Sequence, residues 1–212
     1  MTVTITRELT LDDASRQRFA DIYEEAFPPS ERDETPLLLA SIAAGERSCF
    51  IARRNGGLVG LAVVFKLAPL AIGLLEYLAV AVAERNAGIG GRLLEHAGEQ
   101  LRAGGERGFL LEVDRPADAA GAERALRERR IGFYERHAAA LVDCAPRYRT
   151  PNLSDERLTV PYSLMWRPLT PGAPARLQGP ELRQAVEAIL VQSYGLQRDD
   201  PRVAEAVGEL AC

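Results

Sequence analysis

Tyr77-Leu78-Ala79-Val80-Ala81-Val82-Ala83-Glu84-Arg85-Asn86-Ala87-Gly88-Ile89-Gly90-Gly91-Arg92-Leu93-Leu94 reads as a buried strand running through a glycine turn into an amphipathic helix. Such a turn places backbone N–H groups without intrahelical partners at a helix N-terminus, where the helix dipole adds partial positive charge. Both features favour an anion, so the segment reads as a diphosphate cradle. Glycines at 88 and 90 let the backbone approach the oxygens, because a β-carbon at either position would obstruct them. Two other phosphate motifs fail on spacing. The G-x-G-x-x-G fingerprint needs glycine where Leu93 stands and must follow its strand directly, whereas Glu84-Arg85 intervenes; no G-x-x-x-x-G-K-[ST] occurs.

Working outward, the N-terminal side alternates as a strand over Val3 to Glu8. Asp12 and Asp13 then supply caps for a helix that turns Phe19, Ile22, Tyr23 and Ala26 inward, and Pro28-Pro29 ends it. Thr35-Pro36 fits an N-cap followed by proline, opening a short helix through Ala44 that Gly45 closes. Cys49 to Arg53 and Leu58 to Lys66 read as strands joined at Asn55-Gly56-Gly57, a hairpin signal, and Leu74 to Val82 as a third strand. On the C-terminal side, Ile89, Leu93, Ala97 and Leu101 carry helical spacing until Gly104-Gly105. A strand over Gly108 to Asp114, a helix over Gly121 to Arg136, and strands over Ala138 to Cys144 and Arg157 to Arg167 complete the pattern. The order predicts a mixed α/β sheet with helices on both faces. Prolines 168, 171, 174 and 180 with Gly172 and Gly179 mark a linker, so the expected domain is 1–169. Residues 170–212 follow as a Pro/Gly linker and a helical tail whose apolar face carries Leu182, Val186, Ile189 and Leu190.

Composition narrows the function classes. With 212 residues and 47% hydrophobic content the chain can bury a substantial core. Its 26 cations are Lys66 and otherwise arginine, outnumbered by 30 acids, and the net charge of −4 argues against general nucleic-acid affinity. No basic, continuously apolar leader precedes residue 10, and the apolar stretch Leu67 to Ala83 is broken by Pro69, Gly73 and Glu76, so no membrane role and a cytoplasmic location are expected. Cys49, Cys144, Cys212, His96 and His137 show no ligand spacing, and no metal is expected.

The opening segment resembles the coenzyme A motif [RQ]-x-x-G-x-[GA] of the GNAT (GCN5-related N-acetyltransferase) superfamily, on Arg85, Gly88 and Gly90. Two more blocks carry the resemblance over roughly residues 3 to 167. Arg129-Arg130-Ile131-Gly132-Phe133-Tyr134-Glu135-Arg136 is similar to the end of the family's last core helix, and Leu111-Glu112-Val113 with Pro116 to the strand that splays from its neighbour. His137-Ala138-Ala139 departs from the usual Leu-Gly-Phe. The resemblance implies the GNAT fold, with a splayed strand pair admitting coenzyme A. It also implies an acetyl-CoA donor and an amine acceptor. Cofactor contacts would come from Leu78, Val80 and Val82 along the strand and from Arg85, Asn86, Ala87, Gly88, Ile89, Gly90, Gly91 and Arg92 around the turn.

Acyl transfer from a thioester to an amine needs a deprotonated amine and a proton for the leaving thiolate. The resemblance implies Glu76 as base or amine-orienting group and Tyr134 as general acid. Burial among apolar neighbours would disfavour the charged form of Glu76, while pairing with an arginine is the plainer structural role. Tyr134 is otherwise a packed core tyrosine. The acidic run Glu24, Glu25, Glu31, Asp33 and Glu34 falls where the family's first two helices shape the acceptor pocket, and equally suits a solvated face. Arginines 124, 127, 129, 130 and 136 either meet phosphates or pair with neighbouring glutamates. A longer acyl donor, or a non-catalytic acyl-CoA-binding module, fits the same motif. The tail helix either closes the core or pairs two subunits as a homodimer.

Overall fold

The computed structural model describes residues 2–143, 145 and 148–210. The chain separates into two compact units, Met1–Phe65, Leu75–Gln100 and Leu153–Asp155 forming one, and Lys66–Leu74, Leu101–Asn152 and Glu156–Cys212 the other. Eight strands form a mostly antiparallel sheet in the hydrogen-bonded order β1-β2-β3-β4-β5-β8-β6, with β7 pairing β8. Here β1 is Val3–Arg7, β2 Arg47–Arg54, β3 Gly57–Leu67, β4 Ile72–Val80, β5 Gly108–Asp114, β6 Ala140–Leu141, β7 Arg149–Pro151 and β8 Thr159–Pro168. The helices that flank it are α1 (Asp13–Ala26), α2 (Thr35–Ala43), α3 (Ile89–Ala103), α4 (Gly121–Arg136), α5 (Gly179–Ala188) and α6 (Pro201–Gly208). The chain therefore adopts the expected mixed α/β class.

In the first unit, Asp12 caps α1 by accepting from Ser15 N at 2.7 Å, and the helix buries Phe19, Ile22 and Tyr23. Asn55 and Gly56 both take positive φ, 51° and 82°, the two-residue turn that matches strand twist and closes the β2–β3 hairpin. Gly60 on β3 lies under α3 and beside β4. A β-carbon there would stand 2.9 Å from the Ala79 carbonyl and 3.0 Å from Leu93. Only glycine leaves room for α3 to dock beside β4, which fixes the helix N-terminus behind the strand's end.

In the second unit β5 and β8 pair over their whole length, from Gly108 with Pro168 to Asp114 with Tyr162. Several boundaries differ from the sequence reading. Glu34, not Thr35, caps α2, so Pro36 sits at the second helical position, where its missing N–H is still no loss. The expected strand from Ala138 is cut to Ala140–Leu141 because Ala138 takes φ 62°, which is incompatible with an extended chain; its far end at Cys144 lies outside the described residues. The strand β7, which periodicity missed, is three residues long and pairs only at the start of β8. Beyond α5 the helix widens into a π turn, Ile189–Ser193, and a second tail helix follows as α6, capped by Asp200.

Candidate functional site

The end of β4 and the start of α3 carry the expected binding segment. The strand closes at Val80, two residues earlier than periodicity suggested, and Val82–Glu84 form a 3-10 turn. Val82 is consequently 56% exposed and lies beyond the strand, while Leu78 and Val80 remain on β4 and partly buried. Residues Arg85, Asn86, Ala87 and Gly88 are exposed, and Asn86 and Gly88 take φ 64° and 75°. A β-carbon at Gly88 would point into open space, so the position is held for its backbone and not by crowding. Arg92 N donates to Gly88 O at 3.2 Å, which makes Gly88 the N-cap and leaves the N–H groups of Ile89, Gly90 and Gly91 as the helix's first three donors. Ile89 buries its side chain at 1% exposure, anchoring the turn, so only its backbone can serve a ligand.

Three arginines fasten this turn. Arg54 pairs with Glu84. Arg85 donates Nε to Val80 O at 3.1 Å and pairs with Glu25 of α1 at 3.1 Å. Arg92 donates to Val3 O at 2.6 Å. The first and last charged members of the sequence motif thus have partners within the chain, and the Arg85 pair, about half exposed on both sides, is the weaker hold.

Glu76 lies on β4 with its side chain 7% exposed, and of the two surroundings weighed from sequence the structure shows the arginine pair. Arg47 reaches Glu76 Oε2 through Nε at 2.7 Å, donates from Nη1 to Ser41 Oγ at 2.8 Å, pairs through Nη2 with Asp33 at 3.5 Å, and stacks its guanidinium 5.5 Å from the Phe65 ring centre. Burial raises the Asp33 carboxyl above its usual value, against the pull of Arg47. Asp33 also receives the Tyr23 hydroxyl at its carbonyl and donates its N–H to the Tyr77 hydroxyl. Other members of the acidic run are likewise engaged. Glu24 accepts from Thr35 and pairs with Arg32, and Glu25 holds Arg85.

In the second unit, Tyr134 on α4 is 8% exposed. Burial pushes its phenol up to about 12, opposed only by Arg130 one turn earlier, so the hydroxyl keeps its proton at neutral pH. The basic helix is largely self-paired. Arg124 bonds Glu128 and Arg127 bonds Glu123 four residues away, and Arg130 reaches Asp114. A feature sequence reasoning missed is Glu112 on β5. Its two oxygens accept from the Tyr148 hydroxyl at 2.5 Å and the Tyr194 hydroxyl at 2.7 Å. The only signal was a glutamate amid an apolar strand, since neither tyrosine is near it in sequence.

Among the described residues no group of His, Cys, Asp and Glu could hold a metal, and no helix is long and apolar enough to cross a membrane. Cys49 is buried, and desolvation pushes its thiol up to about 12, so it is no thiolate nucleophile at neutral pH.

Residues 45–137 match the family model described as an acetyltransferase (GNAT) domain. No curated protein matches the chain. Among solved structures, a Bacteroides thetaiotaomicron protein assigned to the GNAT acetyltransferase family matches with TM-score 0.72 at 24% identity, over 92% of this chain and 99% of its own. An aminoglycoside 6′-N-acetyltransferase in complex with coenzyme A matches at 0.62 and 18% identity, over 81% and 99%. The ribosomal-protein-S18-alanine N-acetyltransferase of Escherichia coli matches at 0.57 and 21%, over 81% and 97%. At such identities these structures speak for the fold.

Proposed function

We propose, from the match of residues 45–137 to the GNAT acetyltransferase domain model, that the chain moves an acetyl group from acetyl-CoA to a primary amine by direct attack. The observation that carries this reading is the exposed turn from Val82 to Gly88 running into α3, with Gly88 left-handed and the first helical N–H groups presented beside it. These residues suit a diphosphate: backbone donors at a helix N-terminus, a positive dipole end and Arg85 at the rim. The backbone of Leu78 and Val80 would serve the pantetheine arm. Acetyl-CoA supplies the activated thioester when bound.

The chain's own groups then divide the proton work. The amine nitrogen attacks the thioester carbon, the C–S bond breaks, the amine gives up a proton and the thiolate takes one. Tyr134 is suited to protonating the thiolate, because its phenol is buried and still protonated at neutral pH. Glu76 would orient the amine or take its proton while Arg47 fixes the carboxylate in place. A second reading gives the amine to Glu112. It is favoured by the different partners of the two carboxylates, a guanidinium on Glu76 and the Tyr148 and Tyr194 hydroxyls on Glu112.

Free thiol release from acetyl-CoA across an amine panel tests the proposal. Turnover with at least one amine is expected. Binding of coenzyme A without turnover with any amine points to a binding module, and turnover only with longer acyl donors corrects the donor. Glu76→Gln and Glu112→Gln separate the two bases, since the acting one should lose most rate at low pH, where few amines are already neutral.

A further inference from the structure

Within the second unit, a cavity of about 240 Å³ opens between the start of the β7–β8 pair and the C-terminal segment. Its floor is buried and mostly apolar: Pro151 from β7, Leu190 from the π turn and Ala206 from α6, with the Thr150 hydroxyl among them. Two exposed charges of opposite sign stand at its rim on different elements, Arg149 on β7 and Glu205 on α6. Neither has an ion-pair partner among the described residues; the Arg149 guanidinium donates to Thr159 Oγ1 at a long 3.4 Å and feels the like charge of Arg115. The other rim charges are satisfied. Arg202 is held by both oxygens of Asp200, and Glu209 faces the charge of Arg115.

A cation and an anion that line one cavity without joining each other, above an apolar floor, have the chemistry of a zwitterion site. We propose that this cavity binds a free α-amino acid with an apolar side chain. Its carboxylate meets Arg149, its ammonium meets Glu205, and its side chain lies on Leu190, Pro151 and Ala206. Planar guanidinium suits a carboxylate geometrically, and charge-assisted contacts at both ends give orientation as well as affinity. The site exists only because the C-terminal segment packs beside β7. Through Thr150, which bonds the Tyr194 side chain, it also touches the network that ends on Glu112.

Calorimetric titration of the full chain without acyl-CoA tests this, with L-leucine and L-phenylalanine as probes. L-Leucinamide lacks the carboxylate and 4-methylpentanoate lacks the ammonium, so each should bind about tenfold or more weakly than leucine, as expected for losing a hydrogen bond to a charged group. Arg149→Gln and Glu205→Gln should each weaken leucine by a similar factor. The cross is decisive: leucinamide should be indifferent to Arg149→Gln, and 4-methylpentanoate to Glu205→Gln. Both residues lie on the surface, and equal melting temperatures would verify the fold. Failure of both amino acids to bind at millimolar concentration, or equal binding by wild type and both variants, overturns the proposal. Thiol release measured on the same variants should be unchanged, so a transferase that fails while leucine still binds counts against the proposed reaction alone.

Discussion

Replacing Arg47 by methionine should be the most costly single change in the first unit. Arg47 and Glu76 are 13% and 7% exposed, with 2.7 Å between Nε and Oε2. An exposed pair would be worth about 0–1 kcal/mol, but burial decides otherwise here. Removing the guanidinium leaves a carboxylate that water cannot reach, and breaking such a pair from one side costs about 3–5 kcal/mol. Asp33 and Ser41 lose the same partner, and the stacking on Phe65 goes with it. For a chain of this length the loss corresponds to a drop in Tm of roughly 6–20 °C. Urea denaturation of Arg47→Met, Glu76→Leu and the double variant measures it, and the double should recover part of the loss because the buried Glu76 carboxylate is gone, while the part-buried Asp33 still lacks its partner. Thiol release then divides the roles of Glu76. If it only pairs with Arg47, stability and turnover return together; if it handles the amine, stability returns alone. Arg47→Met within about 1 kcal/mol of wild type, with no gain in the double, would refute the reasoning.

Gly88→Trp should abolish coenzyme A binding by calorimetry while costing the fold only about 1–2 kcal/mol of left-handed strain, since its β-carbon faces open space; unchanged affinity moves the cradle elsewhere. Tyr134→Phe should leave coenzyme binding intact and slow acyl transfer by about 10²–10⁴-fold. With the phenol pushed up to about 12, wild-type kcat should show no descending limb from loss of this donor near the ordinary tyrosine value of about 10, and such a limb would count against Tyr134 as the acid. Tyr194→Phe strips a donor from Glu112 and should lower stability by about 1.5–3 kcal/mol, measured by urea denaturation; no change would mean that the hydroxyl is dispensable.

The binding turn was legible because it is local. Strand, glycine turn and helix follow one another within eighteen residues, and the positive φ at Gly88 is a property of the chain at that point. The same locality explains the accurate α1 cap at Asp12 and the hairpin at Asn55-Gly56. The strand β7 escaped because three residues carry no period, and the strand at 138–144 was overread because the backbone conformation of Ala138 is not written in its side chain.

The candidate chemistry was less legible, for a different reason. Sequence alone marked Glu76 as a glutamate on an otherwise apolar strand and passed over Glu112, and the resemblance gave roles to Glu76 and Tyr134. It could not say that Arg47, twenty-nine positions away, would neutralise Glu76, nor that Tyr148 and Tyr194, thirty-six and eighty-two positions away, would converge on Glu112. Order of elements, the glycine turn into α3 and the fold class follow from short-range pattern and backbone sterics. Which charges are neutralised, and which are left facing a cavity, depends on long-range packing, because burial converts a carboxylate from an indifferent surface group into one that must find a partner.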